Sequence, residues 1–351
     1  MGQFVARRLL YMIVVLFVVA LITFMLMHAV PGGPFTQEKA LPKETLKQLS
    51  ERYHLDDPLW KQFTDYLYNT MIPRLTTTPP TTSLQDDFLI SVKAGPVWFR
   101  WMNFGPSYVS RSRTVNDIFR QNLPVSIQLG VQALALAIIL GMPLGILAAL
   151  KQNTVYDYTG MAVAIFGVSV PVIVLGPIFV WLFGVALKWL PTTGWGAKPP
   201  YLLGFLPSHF GWDYIKYAIL PSVALGLGSS AIIARLTRAS LLQTVREDYI
   251  RTARAKGLRE RTVITRHALK NSLIPVITIL GPLFAALVTG TFVTELIFGI
   301  PGMGKYFVTS ITNRDYPVIM GTILLYAIFL VIANLAVDLT YAYLDPRIRY
   351  D

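Results

Sequence analysis

The chain has no cysteine, so disulfides, thiolate metal sites and cysteine nucleophiles are all excluded. Histidine is scarce too. His28, His54, His209 and His267 are the whole set, and no two share a metal-ligand spacing such as H-E-x-x-H. Metal chemistry is not expected. Charge is the third shortage: Asp, Glu, Lys and Arg make up 14% of 351 residues against 54% hydrophobic, with mean hydropathy +0.51. That composition is foreign to a water-soluble enzyme.

What the sequence does have is long runs without charge: 9–37, 121–150, 158–187, 217–234, 271–294 and 316–337. A hydrocarbon layer needs about 20 helical residues to cross, so each run predicts one transmembrane helix, with 217–234 at the lower limit. Strands are excluded because backbone amides in lipid must pair within their own segment, and no run alternates with the period of two of a barrel. Arg7 and Arg8 before the apolar stretch 9–30 have the look of a secretory signal. The stretch is too long for that, and no small-x-small site precedes Pro31, which makes it an uncleaved first span.

Basic residues set the orientation. Of the 31, 11 fall in the long segment 31–123, which translocates largely regardless of charge, and 10 fall in the short loop 235–270. The positive-inside rule therefore places that loop and both termini in the cytoplasm, and the segment after the first helix outside. The net charge of +12 is divided between two membrane faces, so it forms no nucleic-acid surface; anionic lipid headgroups account for the inner excess.

The outer segment 31–120 predicts a helix from Pro42 to Tyr68, then a breaker-rich patch 76–82. In Val97-Trp-Phe-Arg-Trp-Met102, rings beside an arginine have the composition of an interfacial girdle. It either rests at the membrane surface or helps dock an external partner that delivers a ligand. Gly299-Ile-Pro-Gly-Met-Gly304-Lys305 is followed by Tyr306 where a phosphate-binding loop needs Ser or Thr, and a membrane helix precedes it rather than a strand. With no other Walker-type stretch, any ATP must be hydrolysed by a different chain.

The cytoplasmic loop 235–270 is the most informative segment. In Glu247-Asp-Tyr-Ile-Arg-Thr-Ala-Arg-Ala-Lys-Gly-Leu258, Asp248 is placed to begin a short helix and Gly257 to end it with a left-handed cap. Tyr249, Ala253 and Gly257 recur every four residues as a small-residue face suited to a partner's groove. The alternative on physics alone is a basic linker lying on lipid.

Asp248-Tyr, then Arg-Thr-Ala-Arg-Ala-Lys-Gly257 and Arg266-His-Ala-Leu-Lys-Asn271, resemble the EAA motif of ABC-importer permeases in its dipeptide, oligopeptide and nickel form. Against the general E-A-A-x3-G-x9-I-x-L-P pattern only Ala253, Gly257 and Leu269 match; the subgroup's wording is followed far more closely. Similar likeness covers Leu55-Asp-Asp-Pro-Leu-Trp60, Phe298-Gly-Ile-Pro-Gly-Met-Gly304, Asn313-Arg-Asp-Tyr-Pro317 and Leu344-Asp-Pro-Arg-Ile-Arg-Tyr350. The stretch from Arg74 to Arg100 departs from it, being longer than the usual outer loop.

The resemblance implies an all-α membrane protein with the six-helix type I ABC-importer permease fold. Its parts would be a first helix with a cytoplasmic N-terminus (1–30), an extracytoplasmic segment (31–120), a five-helix core with the EAA-type loop (121–342) and a cytoplasmic tail (343–351). It implies a non-enzymatic permease forming half of a pathway for di- or oligopeptides in a bacterial or archaeal inner membrane. Nickel chelates, glutathione or oligosaccharides are alternative cargoes. The partners implied are a paralogous permease, two ABC ATPases that bind the ATP and magnesium, and an external binding protein. ATPase coupling is expected at Tyr249, Arg251, Thr252, Ala253, Arg254, Ala255, Lys256, Gly257 and Leu258.

Glu295 and Asp338 sit near the ends of apolar runs, either in interfacial or interhelical hydrogen bonds or in a substrate or proton role. The second role would make the chain an ion-coupled secondary transporter, but the inverted repeats of such a protein are not evident. A scaffold recruiting a cytoplasmic protein is a third class. Gly141 with Gly145, and Ala224 with Gly228, predict close helix packing, and Pro143, Pro171 and Pro177 predict kinks.

Overall fold

Chains too apolar for water satisfy their amides internally, and the computed structural model is accordingly mostly helical; it describes residues 2–35, 42–79, 83–110, 112–289 and 291–344. The helices, in order, are α1 (Gly2–Ala29), α2 (Lys43–Arg52), α3 (Leu59–Met71), α4 (Val115–Leu150), α5 (Val155–Ser169), α6 (Val172–Phe179) and α7 (Trp212–Thr244). Then come α8 (Asp248–Ala255), α9 (Glu260–Thr262), α10 (Leu269–Ser272), α11 (Ile274–Thr289), α12 (Phe292–Ile297), α13 (Gly304–Asn313) and α14 (Tyr316–Leu344). The sequence motif at 345–350 lies outside the described residues.

Among the described residues, five spans are long and apolar enough to cross a membrane: Ala6–Ala29, Val115–Leu150, Trp212–Thr244, Ile274–Ile297 and Tyr316–Thr340. The expected third span is a bent pair, Val155–Ser169 and Val172–Ala186, turned by 101°. Six spans result if that pair is one crossing. The break has a local cause. Pro171 has no amide hydrogen to donate to the carbonyl of Gly167, and it forces Val170 into extended backbone (φ −97°, ψ 114°). Pro177 sits inside α6, which continues as a π-helix over Val180–Ala186.

The chain divides into two compact units. One comprises Met1–Leu9, Val125–Gly302 and Phe329–Asp351. Within it α4 and α7 approach backbone to backbone: a Cβ on Gly141 would lie 2.5 Å from the Ser230 carbonyl oxygen, and one on Gly145 2.5 Å from that of Ala234. Gly228 is looser, with only the Gly167 carbonyl at 3.5 Å. Trp195 is buried against Tyr214 edge to face, with Nε1 donating to Gln128 Oε1 at 3.0 Å. Arg238 on α7 reaches the buried Asp157 at the start of α5 through two hydrogen bonds of 2.7 Å.

The other unit comprises Leu10–Pro124 and Met303–Ile328. The helix expected over 42–68 is two helices, α2 and α3, separated at 53–58, where His54 takes a positive φ of 54° and Pro58 starts α3. The girdle-like 97–102 stretch is instead mostly the central strand of an antiparallel sheet. Its strands are β1 (Arg74–Thr76), β2 (Ile90–Ala94) and β3 (Val97–Trp101), ordered β1-β3-β2. Arg100 is buried there, held by Asp86 at 2.9 and 3.0 Å and the Thr78 carbonyl at 2.7 Å. The Asp315 carboxylate, just before α14, accepts bonds from the Ser107 hydroxyl and the amides of Tyr108 and Val109.

Candidate functional site

After α7 ends at Thr244 the chain turns through Val245–Glu247 and enters α8 at Asp248, the start expected from the sequence; its acid lies in the first turn, where the helix dipole favours it. The other end closes as a complete Schellman motif. Gly257 N–H donates to the Arg254 carbonyl at 2.9 Å and Leu258 N–H to that of Ala253 at 3.4 Å, with Gly257 at φ +75°. A side chain at 257 would meet nothing within 4 Å, so glycine is needed there for its backbone angle and not for space.

The helix is fastened by two side chains. Ile250, wholly buried, and Ala253 pack into an apolar cluster with Leu241, Val263, Ile264, Ala268 and Ala149. This changes the expected face: Ala253 points inward, while Tyr249 and Gly257 are exposed, because Ile250, the large aliphatic residue within α8, sets the phase. Arg251, Thr252, Arg254, Ala255, Lys256 and Leu258 are exposed with them. The residues named for coupling thus form one continuous outward surface except for Ala253.

Polar contacts hold this surface in shape. Asn271 Nδ2 donates to Tyr249 Oη at 2.9 Å, tying α8 to the end of α10. Arg254 grips Glu260 through Nε at 3.1 Å and Nη2 at 2.8 Å across the Gly257 turn. That hydrogen bonding holds the Glu260 carboxyl below its ordinary range and raises Arg254, so the pair stays ionised at neutral pH. Beside α8 lies an open hollow of about 540 Å³ lined by Ala239, Leu242, Gln243, Arg246, Glu247 and Asp248. The arrangement offers a rigid, mostly basic knob with an adjoining recess and no catalytic constellation; among the described residues no group of His, Asp and Glu could hold a metal.

The two intramembrane carboxylates are both engaged. Asp338 meets Arg8 at 2.8 Å. Glu295 is buried and accepts bonds from Ser126 Oγ and Thr291 Oγ1, both at 2.6 Å on Oε1, which is interhelical bonding between α12 and α4. The glycine-rich 298–304 stretch returns over it: the Ile300 amide donates to the Glu295 carbonyl at 2.8 Å, and Gly302 lies directly against its carboxylate. That contact had no sequence signal beyond the glycines themselves. No strand precedes this loop, since α12 does, so the phosphate-loop geometry is absent there.

The family described as "Binding-protein-dependent transport system inner membrane component" matches residues 141–350, and its N-terminal counterpart matches residues 1–84. The dipeptide transport system permease protein DppB of Bacillus subtilis (strain 168) is 40% identical over 99% of this chain and 98% of its own length. The oligopeptide transport system permease protein OppB of Salmonella typhimurium is 39% identical over the full length of both chains. A solved chain of the MetNI methionine ABC transporter aligns with 64% of this chain and 94% of its own, at TM-score 0.48 and 16% identity.

Proposed function

Because this chain belongs to the family of inner membrane components of binding-protein-dependent transport systems, we propose that it conducts di- or oligopeptides as the permease subunit of an ATP-driven importer. The fold is the mostly helical, multi-span fold of the type I ABC-importer permeases; the all-α expectation is corrected by the small sheet β1-β3-β2. The names of the relatives, a dipeptide and an oligopeptide permease, support the cargo. The partners proposed are a paralogous permease, two ABC ATPases carrying ATP and magnesium, and an external binding protein. Loop 235–270 and both termini would lie in the cytoplasm and the segment 31–120 outside.

The observation that carries the mechanism is the construction of α8: capped at its own end, clipped inward by Ile250 and Ala253, and presenting the remaining coupling residues outward. A cleft on an ATPase that seats this surface moves the helix as a rigid body. The buried clip passes the motion to the end of α7 through Leu241.

The test uses the assembled importer in proteoliposomes. Uptake should require ATP and persist when the proton gradient is collapsed. Gly257→Val forces a β-branched residue into a left-handed angle, at a cost of about 1–2 kcal/mol. It should leave ATP hydrolysis running while uptake falls; full uptake in a stably assembled complex would refute the coupling role.

A further inference from the structure

The loop that joins the bent third span to α7 ends in an apolar point. At its tip Leu203 is 83% exposed, more than any other large hydrophobic side chain among the described residues. The tip is a closed turn: Leu202 and Leu206 exchange backbone hydrogen bonds of 2.9 and 2.8 Å, and the Phe205 amide donates to the Leu202 carbonyl at 3.2 Å. Leu203 holds a left-handed φ of 51° there, an angle that glycine takes freely and a leucine only at a cost. Local preference therefore does not account for the leucine. Leu202 and Phe205 are exposed beside it, which makes the tip a small apolar patch on a rigid frame.

Its depth is fixed by α4. Gln128, itself buried, donates from Nε2 to the Phe205 carbonyl at 2.7 Å and accepts from Trp195 Nε1 at 3.0 Å, so both ends of its amide are spent on this loop. Along α4, 23 residues separate Gln128 from Lys151, and along α7, 23 separate Trp212 from Arg235. At about 1.5 Å per residue each interval is about 34 Å, slightly more than the roughly 30 Å of a hydrocarbon layer. Lys151 and Arg235, both exposed, mark one surface of that layer, so Gln128 and Trp212 fall at the other. The turn that hangs on Gln128 lies at the boundary of acyl chains and headgroups, at the end of the spans away from α8.

The neighbours of the tip suit the same boundary. Trp189 is exposed at one stem of the loop and Phe210 and Trp212 at the other, as in the aromatic belt of a membrane protein. Between residues 187 and 212 the sequence has Lys188 and Lys198 and no acid, the balance that anionic headgroups favour. We propose that this turn is a lipid anchor: Leu202, Leu203 and Phe205 enter the edge of the acyl layer, and through Gln128 the turn holds α4 at a set depth. This goes beyond the peptide reading and is independent of the cargo.

Because the chain has no cysteine, a single label can be placed at will. Leu203→Cys and, separately, Leu202→Cys are spin-labelled in the permease–ATPase complex, its partner subunits prepared free of cysteine, in nanodiscs of phosphatidylethanolamine and phosphatidylglycerol. Collisions with oxygen, which concentrates among acyl chains, are compared with collisions with a water-soluble nickel chelate. Relative to the same label free in buffer, the oxygen-to-nickel ratio should rise severalfold at both sites. An unchanged ratio at either site places the tip in water. Poor access of both reagents at either site places it against protein, a second permease or another chain. Either result would overturn the assignment.

Discussion

Replacing Gly302 by alanine tests the packing around Glu295 most sharply. The added Cβ would sit 2.2 Å from Glu295 Oε1, 2.3 Å from Cδ and 2.7 Å from Oε2, all well inside contact distance. The carboxylate has nowhere easy to go: it is 2% exposed, and Ser126 and Thr291 both donate to Oε1. Turning it away forfeits both of those hydrogen bonds, about 0.5–1.5 kcal/mol each. Moving the backbone instead is overpacking, about 1–3 kcal/mol, and strains the turn in which the Gly302 amide donates to the Ile300 carbonyl at 2.9 Å. The cheaper escape sets the loss at about 1–3 kcal/mol. The assay is equilibrium unfolding in mixed micelles, run as a cycle with Glu295→Ala. Truncating Glu295 removes one acceptor from two hydroxyls but clears the space, so Gly302→Ala should cost at least about 1 kcal/mol less in that background. Identical costs in both backgrounds, or none in the wild type, would refute the contact.

Ile250→Ala removes the larger of the two clips and should cost about 2–4 kcal/mol locally; trypsin should then cut at Arg251 and Arg254 faster than in the wild type, and unchanged cleavage counts against the clip. Arg238→Ala strands the buried Asp157 carboxylate at a cost of about 3 kcal/mol, and the double variant Asp157→Asn with Arg238→Gln should recover most of it in the same unfolding assay. For Asp315, burial pushes the carboxyl above its ordinary value of 3.8 even though Ser107 and the amides of Tyr108, Val109 and Val318 favour the charged form. The folded state therefore takes up its proton first. This group's contribution is full below the unfolded pKa and is lost as pH rises through the folded one. Wild type should gain stability on acidification toward pH 4 relative to Asp315→Asn, and parallel pH profiles would contradict the assignment.

The spans were legible because a hydrocarbon layer imposes a length and forbids charge, and both are visible in one dimension. The break at 170–171 was half legible: Pro171 announced a disturbance, but nothing in an uncharged run of 30 residues tells a kink from a full 101° turn. The sheet was missed because Val97–Trp101 has the aromatic and β-branched content of a strand and of a membrane interface alike. What decided it was the buried pairing of Arg100 with Asp86, a contact between separate segments that spacing cannot reveal. Both ends of α8 fall where Asp248 and Gly257 suggested, but only the Gly257 end is closed by the expected cap: the N-cap is Glu247, and it makes no side-chain hydrogen bond. Its inward face was not legible, because eight residues make too few turns to fix a phase from small residues when one isoleucine outweighs them.

The joint at Val170 and Pro171 has a consequence for what surrounds the molecule. Gly167 has a carbonyl that Pro171 cannot serve, and oil offers no substitute donor. Phe166, Val168 and Ile173, all outward-facing in the single chain, flank that spot. A helix interrupted at such depth is tolerated only against protein or along a wet passage. Here the shelter comes from the chain itself: Gly167 is buried and its carbonyl is turned toward Gly228 on α7, so α7 backs the break while the neighbouring apolar side chains face outward.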